Sequence, residues 1–133
     1  MTEADFQRIE EELAIKLPKN YKALMANYPF APDSFTEEFL LPNSVEGLPG
    51  SAAAGIKLPP SSFIIGTDGG EQVYFIDWSK ESSPVYVFEL ETGRTKEEAP
   101  SLDAYVEKCR DMGLEIKRDE EERARKKWWQ FWK

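Results

Sequence analysis

Three short apolar runs in the middle of the chain, separated by turn residues, restrict the fold more than any other feature. Phe63-Ile64-Ile65-Gly66 reads as a strand. Thr67-Asp68-Gly69-Gly70 follows, where glycine tolerates the positive φ of a tight reversal. Val73 to Trp78 returns as a second strand, and Ser79 to Pro84 is a second turn region. Val85 to Leu90 is a third strand, with Val85, Val87 and Glu89 on one face and Tyr86, Phe88 and Leu90 on the other. Glu91-Thr92-Gly93-Arg94 turns the chain again. Runs this short, joined this tightly, predict an antiparallel meander.

Helical spacing flanks the meander on both sides. Residues 3–14 place Phe6, Ile9 and Leu13 on one apolar face, with Thr2 as N-cap and Glu3 and Asp5 at the positive end of the helix dipole. Leu17-Pro18 breaks the chain. A second helix then runs from about Lys19 to Asn27, with Tyr21, Leu24, Met25 and Tyr28 as its buried stripe, Tyr21 packing back toward the first helix and Pro29 as its stop. Beyond the meander, Ser101 caps a third helix to about Met112, with Leu102, Tyr105, Val106 and Cys109 facing inward and Gly113 as its stop. The fold class is therefore α+β: an antiparallel meander sheet flanked by N-terminal and C-terminal helices.

Residues 29–62 carry six of the nine prolines and read as a long surface connection within one fold. Phe39-Leu40-Leu41 is expected to form a short strand, confined to an edge by Pro42, and Gly47 to Gly55 a loop. Leu114-Glu115-Ile116 is a short link. One domain over residues 1–116 is thus followed by a charged, Trp-rich helical tail over residues 117–133. Glu121–Arg125 and Glu122–Lys126 are i,i+4 pairs in the favoured order, and Trp128, Trp129, Phe131 and Trp132 close the chain.

Charge divides along the same boundary. Residues 1–116 hold 21 acidic and 10 basic side chains, a net −11, whereas residues 117–133 hold 4 and 7, a net +3. A body this acidic repels phosphate backbones, which argues against nucleic acid, and attracts basic partners. The N-terminus is acidic and precedes no apolar run, so the expectation is a cytoplasmic protein. Cys109 is the single cysteine, so no intrachain disulfide forms, and a half-buried structural thiol is its plain reading.

The chemistry of the chain is sparse. It contains no histidine, which removes Ser–His and Cys–His nucleophilic pairs and, with one cysteine, transition-metal clusters. Asp68-Gly69-Gly70 follows neither phosphate-loop nor dinucleotide spacing, and residues 68–77 lack the alternating oxygen ligands of a calcium loop. Carboxylates remain: Asp68 and Glu71 flank a turn, and Asp77, Glu89 and Glu91 lie on or beside strands. Paired carboxylates hydrolyse glycosides at defined separations, but with 25 acidic residues chance proximity is expected and a solvated surface is the preferred reading.

Several strings, in order, resemble the SUKH superfamily, which includes the yeast cell-wall-assembly regulator family. Ile9-Glu10-Glu11-Glu12-Leu13 and Ile15 to Met25 resemble its opening helix, Leu-Pro-x-x-Tyr turn and second helix. Phe63 to Gly70 with Val73 to Asp77 resembles its strand, Asp-Gly-Gly turn and returning strand, Pro84 to Phe88 its next strand, and Ser101 to Val106 its closing helix. The resemblance covers roughly residues 5–112 and leaves the tail outside. It implies no catalysis and no cofactor. Its bacterial members are largely immunity proteins that bind and neutralise toxin domains, often nucleases. A basic toxin domain is thus the expected partner, met by Asp68, Glu71, Asp77, Trp78, Glu89 and Glu91 around the meander, with Trp78 as an anchor. The alternative is a regulatory or scaffold module for an endogenous protein, as in the fungal relatives. For the tail, docking of Ala124, Trp128, Phe131 and Trp132 on the domain or on a second subunit is preferred over membrane attachment, because the acidic body opposes approach to an anionic surface.

Overall fold

The computed structural model describes residues 1–32, 34–46, 48 and 58–112. The Gly47 to Gly55 loop apart from Leu48, the Gly113 stop, the 114–116 link and the whole tail lie outside them.

Helix α1 spans Glu3–Leu13 and starts on a reciprocal cap. Thr2 Oγ1 accepts the Asp5 N–H at 3.3 Å while Asp5 Oδ2 accepts the Thr2 N–H at 2.8 Å, satisfying two donors that a helix start leaves open. Helix α2 spans Lys19–Ala26. Glu10 fixes the corner between them: its Oε2 accepts the Leu17 N–H at 3.1 Å and its Oε1 meets Lys22 Nζ at 3.0 Å. Helix α3 covers residues 102–112, and Ser101 Oγ accepts the Ala104 N–H as its cap.

The sheet has four antiparallel strands in the order β1 (Ser62–Thr67), β2 (Gln72–Asp77), β3 (Val85–Glu89) and β4 (Thr95–Ala99). The fourth strand has no counterpart among the three apolar runs of the sequence. Thr95-Lys96-Glu97-Glu98-Ala99 has almost no apolar signal, yet it pairs with β3 from Phe88↔Thr95 to Val85↔Ala99. Its composition suits an edge, because exposed charge on an edge strand opposes pairing with another chain.

Phe63, Ile65, Tyr74, Ile76, Val85, Val87 and Ala99 face the helices. There they join Phe6 and Ile9 of α1, Tyr21 and Met25 of α2, and Leu102, Tyr105, Val106 and Cys109 of α3 in one buried cluster. Burying each of its Val, Leu, Ile, Phe and Met side chains contributes about 1.5–3 kcal/mol. Tyr21 packs edge-on against Phe63 at 5.2 Å between ring centroids.

The expected strand at Phe39–Leu41 is replaced by a π-helical turn, Thr36–Leu40, closed by Leu41 N–H donating to Thr36 O at 2.8 Å. A strand would send Leu40 and Leu41 to opposite faces; both are buried in the same cluster. The turn lies directly on β1, where the register slips between Ile64 and Gly66. A Cβ on Gly66 would sit 1.9 Å from Leu40 O. Glycine is therefore required here by a backbone-to-backbone approach.

Candidate functional site

The local structure around each acidic residue determines whether its carboxylate is available. Asp68 is spent on the β1–β2 turn: Oδ1 accepts the N–H groups of Gly70, Glu71 and Gln72 at 3.0, 3.0 and 2.9 Å. This is the short-side-chain turn that aspartate favours, and Gly69 supplies the positive φ of 94° beside it. Asp77 does the same after β2, its Oδ1 accepting both the N–H and the hydroxyl of Ser79. Glu89 is held by Lys96 at 3.1 Å and by Thr92 Oγ1 at 3.0 Å. The Lys96 hydrogen bond, then that of Thr92, holds its carboxyl below the usual range.

Glu71 and Glu91 are exposed and make no side-chain bond among the described residues. The β2–β3 register, Gln72↔Glu89, brings them to the same end of the sheet, and Leu90 N–H donates to Glu71 O at 2.9 Å to tie the two turns together. Glu71, Gln72, Glu89, Glu91 and Thr92 line a recess of about 70 Å³. Small-molecule sites run to roughly 300–1,000 Å³, so this is surface relief suited to a protruding side chain rather than a substrate pocket.

Four of the six sequence-picked residues, Asp68, Glu71, Glu89 and Glu91, thus gather at one end of the sheet. Asp77 and Trp78 do not join them. Asp77 lies five residue steps from Gln72 along β2, about 17 Å at strand rise. Trp78 is half-buried and packs against the core cluster, so it is less open than its place in a turn suggested. A residue that sequence reasoning missed is Leu90. It was expected to continue β3, but the strand ends at Glu89 and Leu90 enters the turn, 44% exposed between the acidic side chains. The turn at Thr92-Gly93 was its available signal.

A second concave feature, an open groove of about 420 Å³ between α2 and α3, is lined by Leu24, Ala104 and Val106 together with Asp103, Glu107 and Arg110. Among the described residues, no group of three or more His, Cys, Asp or Glu is placed to hold a metal ion, and no helix is long and apolar enough to cross a membrane.

A capped helix pair, a four-stranded meander with an acidic end and a closing helix define a small α+β domain. The family model of the SMI1 / KNR4 family (SUKH-1) matches residues 1–108, and the chain belongs to that family. No curated protein and no solved structure matches the chain.

Proposed function

We propose that this chain is a non-catalytic immunity protein that binds and neutralises a basic, nuclease-type bacterial toxin domain through the acidic end of its sheet. The observation that carries this reading is the pair of carboxylates, Glu71 and Glu91, that line a shallow recess and have no side-chain partner among the described residues, with Leu90, exposed, next to Glu91 in the chain. Exposed carboxylates steer a basic surface toward them, and an exposed apolar side chain nearby can then desolvate against it. Family membership supports a role in protein binding, and the net −11 of residues 1–116 acts at longer range in the same direction.

The test is stopped-flow association with basic, nuclease-type toxin domains, paired with a growth-rescue assay against each of them. Glu71→Lys with Glu91→Lys should slow association about tenfold or more at low salt and weaken rescue, with the far-UV spectrum unchanged. An unaltered rate and full rescue would move the contact elsewhere. Absence of binding to any basic toxin domain, with an endogenous protein bound instead, would favour the regulatory reading, in which a SUKH-1 domain scaffolds a host partner through the same surface.

A further inference from the structure

The β1–β2 turn carries an aromatic ring that the hydrophobic core does not use. Phe39 belongs to the π-helical turn, which delivers Leu40 and Leu41 to the buried cluster. Phe39 itself is half-buried, and among the described residues it is neither in that cluster nor packed against it, unlike its neighbour Phe35. The ring is nonetheless held in place. It lies against Phe35 with centroids 5.1 Å apart, and three of its atoms come 3.6–3.8 Å from the position a Cβ would take on Gly69. The positive φ at 69 favours glycine there, so the ring faces bare backbone.

Next to the ring the surface is open and negatively charged. Glu71 lies two residues after Gly69, which keeps their Cα atoms within about 7 Å of each other. It is exposed and has no side-chain partner among the described residues. Gly70 stands between them, and a Cβ there would meet nothing within 4 Å. Asp68 adds a second carboxylate to the turn, its Oδ1 taken by three N–H groups. A held ring, an open gap and a free carboxylate suit a guanidinium. That planar cation stacks on an aromatic face within about 6 Å of the ring centroid and donates in pairs to a carboxylate. A lysine ammonium has neither the plane nor the fork.

We infer that Phe39 and Glu71 form a site for one arginine side chain of the protein partner, its guanidinium stacked on the ring and bonded to Glu71 across Gly70. The inference rests on the acidic sheet end being the partner surface, and it extends that surface from Leu90 and Glu91 past Glu71 to the π-helical turn. The two parts act at different stages. Exposed carboxylates speed the encounter, whereas a stacked and desolvated contact holds the complex once it has formed.

The test measures dissociation of basic, nuclease-type toxin domains from the full chain by surface plasmon resonance. Phe39→Leu keeps an apolar side chain but removes the ring. It should speed dissociation about tenfold and change association by less than about twofold. Phe39→Trp should dissociate no faster than wild type. Glu71→Gln should speed dissociation from the wild-type chain and add little to Phe39→Leu, because both remove one contact. Gly70→Leu fills the gap without touching the core and should match Phe39→Leu, which keeps the inference testable if Phe39→Leu fails to fold. Folded Phe39→Leu or Gly70→Leu dissociating at the wild-type rate would overturn the inference; slowed association of Glu71→Lys with Glu91→Lys in the same series would then show that the acidic surface itself stands. Effects of Phe39→Leu and Glu71→Gln that multiply independently would overturn it too. Wild-type protein that binds none of the toxin domains would remove the proposed function and this inference together.

Discussion

Substituting the glycines of the β1–β2 segment one at a time should separate three physical roles that the sequence string presents as alike. At Gly66 an added Cβ would lie 1.9 Å from Leu40 O, 2.5 Å from Leu40 C and 2.9 Å from Phe39 O. All three are backbone atoms, so no rotamer change relieves the clash, and the π-helical turn must retreat by more than an ångström. The turn carries Leu40 and Leu41, both fully buried, and Leu40 O accepts the Tyr105 hydroxyl hydrogen bond. Overpacking against an unyielding wall costs about 3 kcal/mol, and loosening one buried hydrogen bond adds about 1 kcal/mol. Gly66→Ala should therefore destabilise by about 3–4 kcal/mol, which at a urea slope of about 2 kcal/mol per molar lowers the midpoint by roughly 1.5–2 M. Gly69, at φ 94°, meets only Phe39 ring atoms from 3.6 Å outward, so Gly69→Ala should cost about 1–2 kcal/mol for the left-handed backbone alone. Gly70 has open space and no positive φ, and Gly70→Ala should be neutral or stabilise by up to about 1 kcal/mol through the unfolded chain. Urea titration followed by far-UV circular dichroism reads all three. A Gly66→Ala midpoint within error of wild type, or a Gly70→Ala loss as large as that of Gly66→Ala, would refute the close-approach argument.

Three further outcomes are expected. Tyr21 Oη is buried and unpartnered among the described residues, so Tyr21→Phe should keep the Phe63 contact and gain about 1 kcal/mol; a clear drop in the thermal midpoint would show that the hydroxyl has a partner. Burial pushes the Cys109 thiol up to about 12, so the folded protein should resist a thiol-specific disulfide reagent at mildly alkaline pH and react fully in denaturant; rapid native labelling would contradict the packing of α3. Burial alone would raise the Glu10 carboxyl, but the hydrogen bonds from Lys22 and the Leu17 N–H outweigh it and hold it below its ordinary value. A carboxyl lowered in the folded state stabilises above its unfolded pKa and loses that contribution as pH falls through the folded value. Glu10→Gln should thus be less stable than wild type near neutrality and converge with it in acid, as read by urea midpoints across pH; parallel curves would dismiss the link.

Local chemistry was legible in the sequence because its causes lie within a few residues. Thr2 and Ser101 cap their helices, Asp68 and Gly69 build their turn, and the alternation in Val85-Tyr86-Val87-Phe88 sorts to two faces, each through contacts between near neighbours in the chain. The ordered strings that resembled SUKH proteins led to the right family for the same reason. Tertiary structure alone decided the rest. Thr95–Ala99 is a strand only because β3 offers it a ladder, and Thr36–Leu40 widens into a π turn because two adjacent leucines must enter one core beside Gly66. Of six residues that the sequence placed around the meander, pairing put Asp68, Glu71, Glu89 and Glu91 at one sheet end and Asp77 and Trp78 at the other. Among the described residues, hydrogen bonding left Glu71 and Glu91 uncommitted, and the early end of β3 left Leu90 exposed in the turn. Register and burial are relations between segments far apart in the chain, so no pattern within a single segment determines them.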